Sequence, residues 1–231
     1  MVVTKNITFP RILPFALYMA FIGIEELLRY LTSKGMVNVS TDDLLYLYPI
    51  KIAVVGLSLI VLWPRYDELK ALDLSRIPHT AASVLIGIVV FVLWINMDWA
   101  FATFGTLQGY NPLTIGDDTL RNVLIGSRLL GAVIVVPIME ELFWRSFLIR
   151  YVIRPEFSEV PIGRFTWLSF LVITVLFGLE HNLWLAGMMA GAAYNILLYY
   201  TKSIAQCIIA HAVTNLALGI YVLQSGQWKF W

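Results

Sequence analysis

The chain has 231 residues, of which 59% are hydrophobic and only 13% charged, and its formal net charge is +1. Soluble domains run about 45–50% apolar and about 25% charged, and a single domain of this length cannot hide so much apolar surface from water. A water-soluble enzyme, a disordered chain and a basic nucleic-acid-binding surface are thereby excluded, and an integral membrane protein is what remains.

The mean hydropathy of +0.78 agrees, and the Tyr and Trp content suits two aromatic interface belts. A spanning helix needs about 20 mostly apolar residues. Seven segments qualify: 10–30, 45–63, 79–97, 132–153, 164–181, 183–201 and 203–223. The expected fold is therefore an all-α polytopic transmembrane helix bundle of about seven spans. No linker or internal repeat divides it, so 1–231 reads as one integral membrane domain. The single Cys207 rules out an internal disulfide framework and a thiolate metal cluster.

The first segment carries Glu25 and Glu26 and no small-residue cleavage site, so it reads as a span rather than a signal peptide. Glu25 and Arg29, four residues apart, suit an interfacial ion pair. Lys51, early in the second segment, reads as a lysine snorkelling to the headgroups. His79 opens the third beside Pro78, and Asp117 and Asp118 read as a helix start. Residues 118–131 carry Arg121 and Arg128 on one face and read as an interfacial amphipathic helix leading into the fourth span. If this segment crosses as well, the spans number eight. With seven, Lys5, Arg11, Arg65, Lys70, Arg76, Arg150, Arg154, Arg164 and Lys202 share the side of the N-terminus, against Arg29, Lys34, Arg121 and Lys229. That asymmetry predicts a cytoplasmic N-terminus in a bacterial inner (plasma) membrane.

Ionisable residues within a span are costly, so each is a functional candidate. The fourth span holds Glu140, Glu141 and Arg145 in an apolar run. Glu141 and Arg145 are i,i+4 with the acid first, the favourable order for a pair. Glu140 then lies about 100° round the helix with no partner on it, as suits a general base or acid. The fifth span ends Phe177-Gly-Leu-Glu-His181, where Phe177 can pack under the imidazole. The seventh contains His211 and Asn215, again four apart. At about 1.5 Å per residue, Glu140 lies about 21 Å in from Arg154 and His181 about 25 Å from Arg164. His211 lies about 13 Å from Lys202 and Asn215 about 19 Å. The four can meet within the membrane. Small residues along the sixth span (Ala186, Gly187, Ala190, Gly191) permit its neighbours to close in.

Glu140-Glu141-x-x-x-Arg145, Phe177-x-x-x-His181 and His211-x-x-x-Asn215 resemble, in order, the three motifs of the CPBP/Abi family, which includes the type II CAAX prenyl endopeptidases. The resemblance covers about residues 118–223, with the catalytic motifs in 132–223. It implies an intramembrane endopeptidase of the glutamate type, acting on a membrane-associated peptide or protein. Glu140 and His181 would activate water, His211 and Asn215 would form the oxyanion hole, and Glu141, Arg145 and Phe177 would support the site. No cofactor, no metal and no nucleic acid are implied. The stretch from Val136-Pro137-Ile138-Met139 to Phe147-Leu148 is similar to the subgroup that accompanies exosortase systems, whose proteins would be partners.

Three other readings stand beside it. Glu140, His181 and His211 are a plausible zinc ligand set, although the HExxH spacing is absent. The same fold could be a non-catalytic scaffold or immunity-type binding protein, which has no need for both histidines and the asparagine. A proton-coupled transporter would relay protons through Glu140 and the histidines, but the paired broken helices of transporters are not evident.

Overall fold

In a computed structural model of the chain, residues 7–70, 73–105, 107 and 109–231 are described. Lys5 lies outside them. Among the described residues the fold is all-helical, a membrane helix bundle. We number its helices α1 (Phe9–Ser33), α2 (Thr41–Arg65), α3 (Ile77–Ile95), α4 (Asp118–Ile153), α5 (Trp167–Leu179), α6 (Trp184–Thr201) and α7 (Ile204–Ser225). Of these, α2, α3, α4 and α7 are long and apolar enough to cross a membrane. With the bilayer unable to satisfy backbone groups, a helix is the economical structure for each apolar run.

The helix starts are written in short polar side chains. Ser40 and Asp43 form a reciprocal capping box at α2. Asp117 accepts from the Leu120 amide at 2.8 Å and opens α4, as its sequence position predicts. Thr166 and Ser203 cap α5 and α7 in the same way. Lys202, in the left-handed conformation, and Ser203 alone connect α6 to α7, so these two helices must pack antiparallel.

Small residues decide how closely the helices approach. A Cβ on Gly87 of α3 would lie 2.5 Å from the Ala210 carbonyl oxygen of α7. The Thr214 hydroxyl uses that proximity and donates to the Gly87 carbonyl at 2.9 Å. Gly178 of α5 sits against the Met188 side chain and the Trp184 carbonyl of α6 with equally little room. The shared core is apolar, with Met139, Leu142, Ile149, Ile173, Leu197 and Ile204 all buried.

Residues 118–131 lead into the fourth span as the first turns of α4, which runs unbroken for 36 residues. One expectation needs correction. Lys51 does not snorkel. It is 5% exposed, and its ammonium sits 4.5 Å from the Tyr18 ring and 4.9 Å from the Tyr48 ring, because those rings offer it a π face within the bundle.

The helix α4 is irregular where it matters. It widens into a π turn over Gly131–Val135, returns to α over Val136–Glu141, and widens again over Leu142–Leu148. Such bulges gather at functional sites. Pro137 supplies a cause for the first. Within the wide turn the Val136 amide donates to the Gly131 carbonyl, five residues back. The next donor in that register would serve Ala132, but Pro137 has no N–H. The Ala132 carbonyl takes a bond from the Asn215 side-chain amide of α7 instead, at 2.7 Å.

Candidate active site

The two adjacent glutamates of α4 face different surroundings. Glu141 is fully buried and accepts from the Arg145 guanidinium at 3.1 Å and from His211 Nδ1 at 2.9 Å, both on Oε1. Arg145, also fully buried, donates to Asn195 Oδ1 and to the Gly191 carbonyl of α6 at 3.3 Å each. Its guanidinium lies 4.3 Å over the Phe177 ring. One cation thus ties α4, α5 and α6 together. Glu140 is 4% exposed, and its Oε2 is buried without a hydrogen-bond partner.

His181 lies just beyond α5, held by Phe177 in two ways. Its ring packs 5.0 Å from the Phe177 ring, and its Nδ1 is 2.8 Å from the Phe177 carbonyl oxygen. A carbonyl only accepts, so Nδ1 carries the proton and Nε2 presents a lone pair. His211 has the reverse constraint. With Nδ1–H given to the Glu141 carboxylate, Nε2 becomes a donor only in the imidazolium form. The Tyr194 ring stacks on His211 at 5.2 Å, and the Tyr194 hydroxyl donates to Thr214 at 2.8 Å.

Glu140, His181, His211 and Asn215 line one cavity of about 170 Å³. Glu141, Arg145 and Phe177 do not line it. Phe177 borders a smaller space of about 30 Å³ shared with His181, His211 and Asn215. Four polar groups, from α4, α7 and the segment just after α5, therefore converge at one cavity with room for several waters. It is lined by the Glu140 carboxylate, an imidazole with a free lone pair, a second imidazole and an amide that keeps one N–H beyond the one given to Ala132. Among the described residues, no three His, Cys, Asp or Glu side chains are grouped to hold a metal ion.

Several participants escape a reading of the sequence. Glu180 accepts from the Trp144 indole at 3.1 Å and is close enough to Glu140 to interact electrostatically. Its position beside His181 was the available signal. Asn195, a lone amide in the apolar sixth span, was equally visible and orients Arg145.

Residues 122–217 match the family model described as Type II CAAX prenyl endopeptidase Rce1-like. Over these residues the chain is similar to that family. The matched region contains all seven motif residues that carry the CPBP/Abi resemblance, and it supports an intramembrane enzyme of the protease type. No curated protein and no solved structure matches the chain. Within the Rce1-like region, α4 supplies the carboxylates, the end of α5 the first histidine and α7 the second histidine with the asparagine.

Proposed function

We propose that the chain is a glutamate-type intramembrane endopeptidase that hydrolyses a peptide bond of a membrane-associated substrate. The observation that carries this reading is that Glu140, a buried carboxylate with one unpartnered oxygen, lines the same cavity as His181. In the reaction, water gives a proton to Glu140, assisted by the Nε2 lone pair of His181, as its oxygen bonds to the substrate carbonyl carbon. The carbonyl oxygen becomes an oxyanion that accepts from His211 Nε2–H and the free Asn215 N–H. The C–N bond then breaks, and the proton held by Glu140 passes to the departing amine. Glu141 stabilises the charged His211 that this role needs, and Arg145 fixes Glu141.

One observation favours a scaffold instead: His211 and Asn215 each already serve a structural partner, Glu141 and the Ala132 carbonyl. Cleavage of a membrane-associated peptide by the wild type and by Glu140→Gln separates the two readings. Loss of a general base costs about 10²–10⁴-fold; wild-type turnover by the variant would make Glu140 structural and the catalytic assignment wrong, and cleavage by neither protein would leave the scaffold. Activity retained in a strong chelator supports the metal-free reading, while chelator-sensitive cleavage by protein that binds zinc would replace it with a metalloprotease.

A cytoplasmic N-terminus in a bacterial inner membrane is part of the proposal. It rests on the loop cations, of which Arg11 and Arg150 are buried at 6% and 7% exposure rather than displayed. An exosortase system as partner rests on the 136–148 stretch alone. The substrate would then be a membrane-bound sorting tail or another membrane protein.

A further inference from the structure

The segment that follows α7 folds back over the candidate active site. Gly226, at φ 69°, ends the helix in the left-handed conformation, and Trp228–Phe230 form a single 3-10 turn. Phe230 and Trp231 then stand in the wall of the cavity that Glu140, His181, His211 and Asn215 line. What holds the segment there comes from the loop after α3. The Lys229 ammonium meets the Asp98 carboxylate at 2.5 Å. The Tyr110 amide donates to the Trp231 main-chain oxygen at 3.0 Å, and the Tyr110 ring packs edge-on against the Trp231 indole, 6.3 Å away. Gly109 packs so closely on the Trp228 carbonyl that a Cβ would collide with it. The same loop is tied to the other side of the site, because the Phe104 amide donates at 2.8 Å to the carbonyl of Asn182, next to His181.

Two features make this closure weak. The Lys229 and Asp98 side chains are 39% and 31% exposed, and an ion pair in contact with water contributes little and is screened by salt. The Trp231 Nε1–H is buried without a partner, and a buried donor left unpaired favours any state that hydrates it. A short segment hinged on one glycine and lightly held is suited to moving as a unit. We propose that residues 226–231 are a strap that gates the cavity, closed in this structure by the Lys229–Asp98 clasp, and that it swings out on Gly226 to admit a polypeptide. Its use in admitting substrate rests on the peptidase reading and deepens it. A gate that is mostly closed weakens apparent affinity in proportion to its open fraction and leaves the chemical step alone. Releasing it therefore lowers KM and not kcat.

The test reads access and turnover separately, on the detergent-purified full chain. Leu218 lines the cavity, so labelling of Leu218→Cys by a small, charged methanethiosulfonate reports how often the strap is open. The wild type, whose single Cys207 is buried, is the blank. Three further changes release the strap by different means: Asp98→Lys reverses a charge, Gly109→Ala wedges the backbone, and deletion of 226–231 removes the segment. The two substitutions are expected to speed labelling about threefold to tenfold, in keeping with an exposed pair, and the deletion by more. Adding Lys229→Asp to Asp98→Lys restores the clasp and is expected to return the rate to that of Leu218→Cys alone. Raising the ionic strength from about 0.01 M to about 1 M shortens the screening length from about 30 Å to about 3 Å. That change is expected to speed labelling of Leu218→Cys alone and not of its Asp98→Lys form. In chains without the added cysteine, KM for a membrane-associated peptide is expected to fall by the factor by which labelling rises, with kcat unchanged. Equal labelling in every background would overturn the strap, and so would faster labelling in a chain that cleaves with unaltered KM. Labelling that follows the clasp while no form cleaves the peptide would keep the gate and remove the peptidase reading. Melting curves show which variants are folded, and the charge swap decides the matter if the deletion is not.

Discussion

Each of the adjacent glutamates keeps one buried oxygen without a partner, but Glu141 carries two bonds on its other oxygen and does not line the cavity, whereas Glu140 lines it. That contrast separates stability from chemistry along one turn of helix. Removing one member of a buried ion pair strands the other, at a cost of about 3–5 kcal/mol. Arg145→Ala and Glu141→Ala are therefore expected to melt well below the wild type in detergent, and to express poorly. Glu140→Gln, which breaks no pair, is expected to melt within a few degrees of it while losing activity. If Arg145→Ala melts normally and Glu140→Gln collapses, the structural and catalytic roles have been exchanged. The Glu141–Arg145 spacing was legible because i,i+4 pairing is local. The bond from His211 to Glu141 was not, since it joins residues 70 positions apart and either glutamate could have met it. Lys51 was misread for a related reason: snorkelling is judged from depth alone, and the Tyr18 and Tyr48 rings that hold the ammonium come from two helices.

At the scale of a helix, α4 does by irregularity what a straight rod cannot. Pro137 removes a donor, the turn before it widens, and the Ala132 carbonyl is turned over to Asn215. Proline is thus a positioning residue for Asn215, acting through a backbone carbonyl. Pro137→Ala restores an N–H that competes for Ala132. The change is expected to raise the melting temperature, since an interior proline costs a helix about 3 kcal/mol or more. It is also expected to lower kcat with little change in KM, because Asn215 loses its fixed position while substrate contacts remain. A rise in stability with unaltered kcat would show that Asn215 needs no such hold. The helices themselves were largely readable, because the bilayer forces apolar runs of spanning length. Their ends were readable where Asp117 caps α4, whereas the Thr166 cap of α5 went unread. The π turns were not, since no composition marks them and Pro137 was the one visible symptom.

Across the whole molecule, the ends of the helices are tied by two polar networks distant from the cavity. In one, Arg11 of α1 meets Glu68 at 2.5 Å, and the Ser146 hydroxyl also bonds to Glu68, with Arg150 donating to the Ser146 hydroxyl and carbonyl oxygens. In the other, Asp73 accepts from Ser203 at 2.6 Å and lies 3.1 Å from His79 Nδ1. Partial burial alone would raise the Asp73 carboxyl, but the bonds from Ser203, His79 and Gln206 outweigh it and hold the group below its ordinary 3.8. A carboxyl lowered by folding adds stability above its unfolded value, and that stability is lost as pH falls through the folded one. The melting temperature of the wild type is thus expected to decline below about pH 4. Asp73→Ala is expected to melt lower near neutrality and to show a shallower decline. An unchanged acid slope in the variant would remove Asp73 from the account. Neither network was evident in the sequence, where Arg11 and Arg150 looked like loop charges counted for orientation.

The wide turn at Gly131–Val135 has a consequence for how the chain tolerates changes in length. A π turn holds roughly one residue more than an α turn, so one residue can be removed there without rotating the rest of the helix. Deleting Ile134, which is 51% exposed, would let α4 close into an ordinary helix and leave Glu140 on its present face. Deleting Val175 from the regular turns of α5 has no such slack. It would rotate Gly178 and His181 by about 100°, away from α6 and the cavity. The first deletion is expected to yield a folded, heat-stable protein and the second a misfolded one, a difference that yield and melting in detergent would read directly.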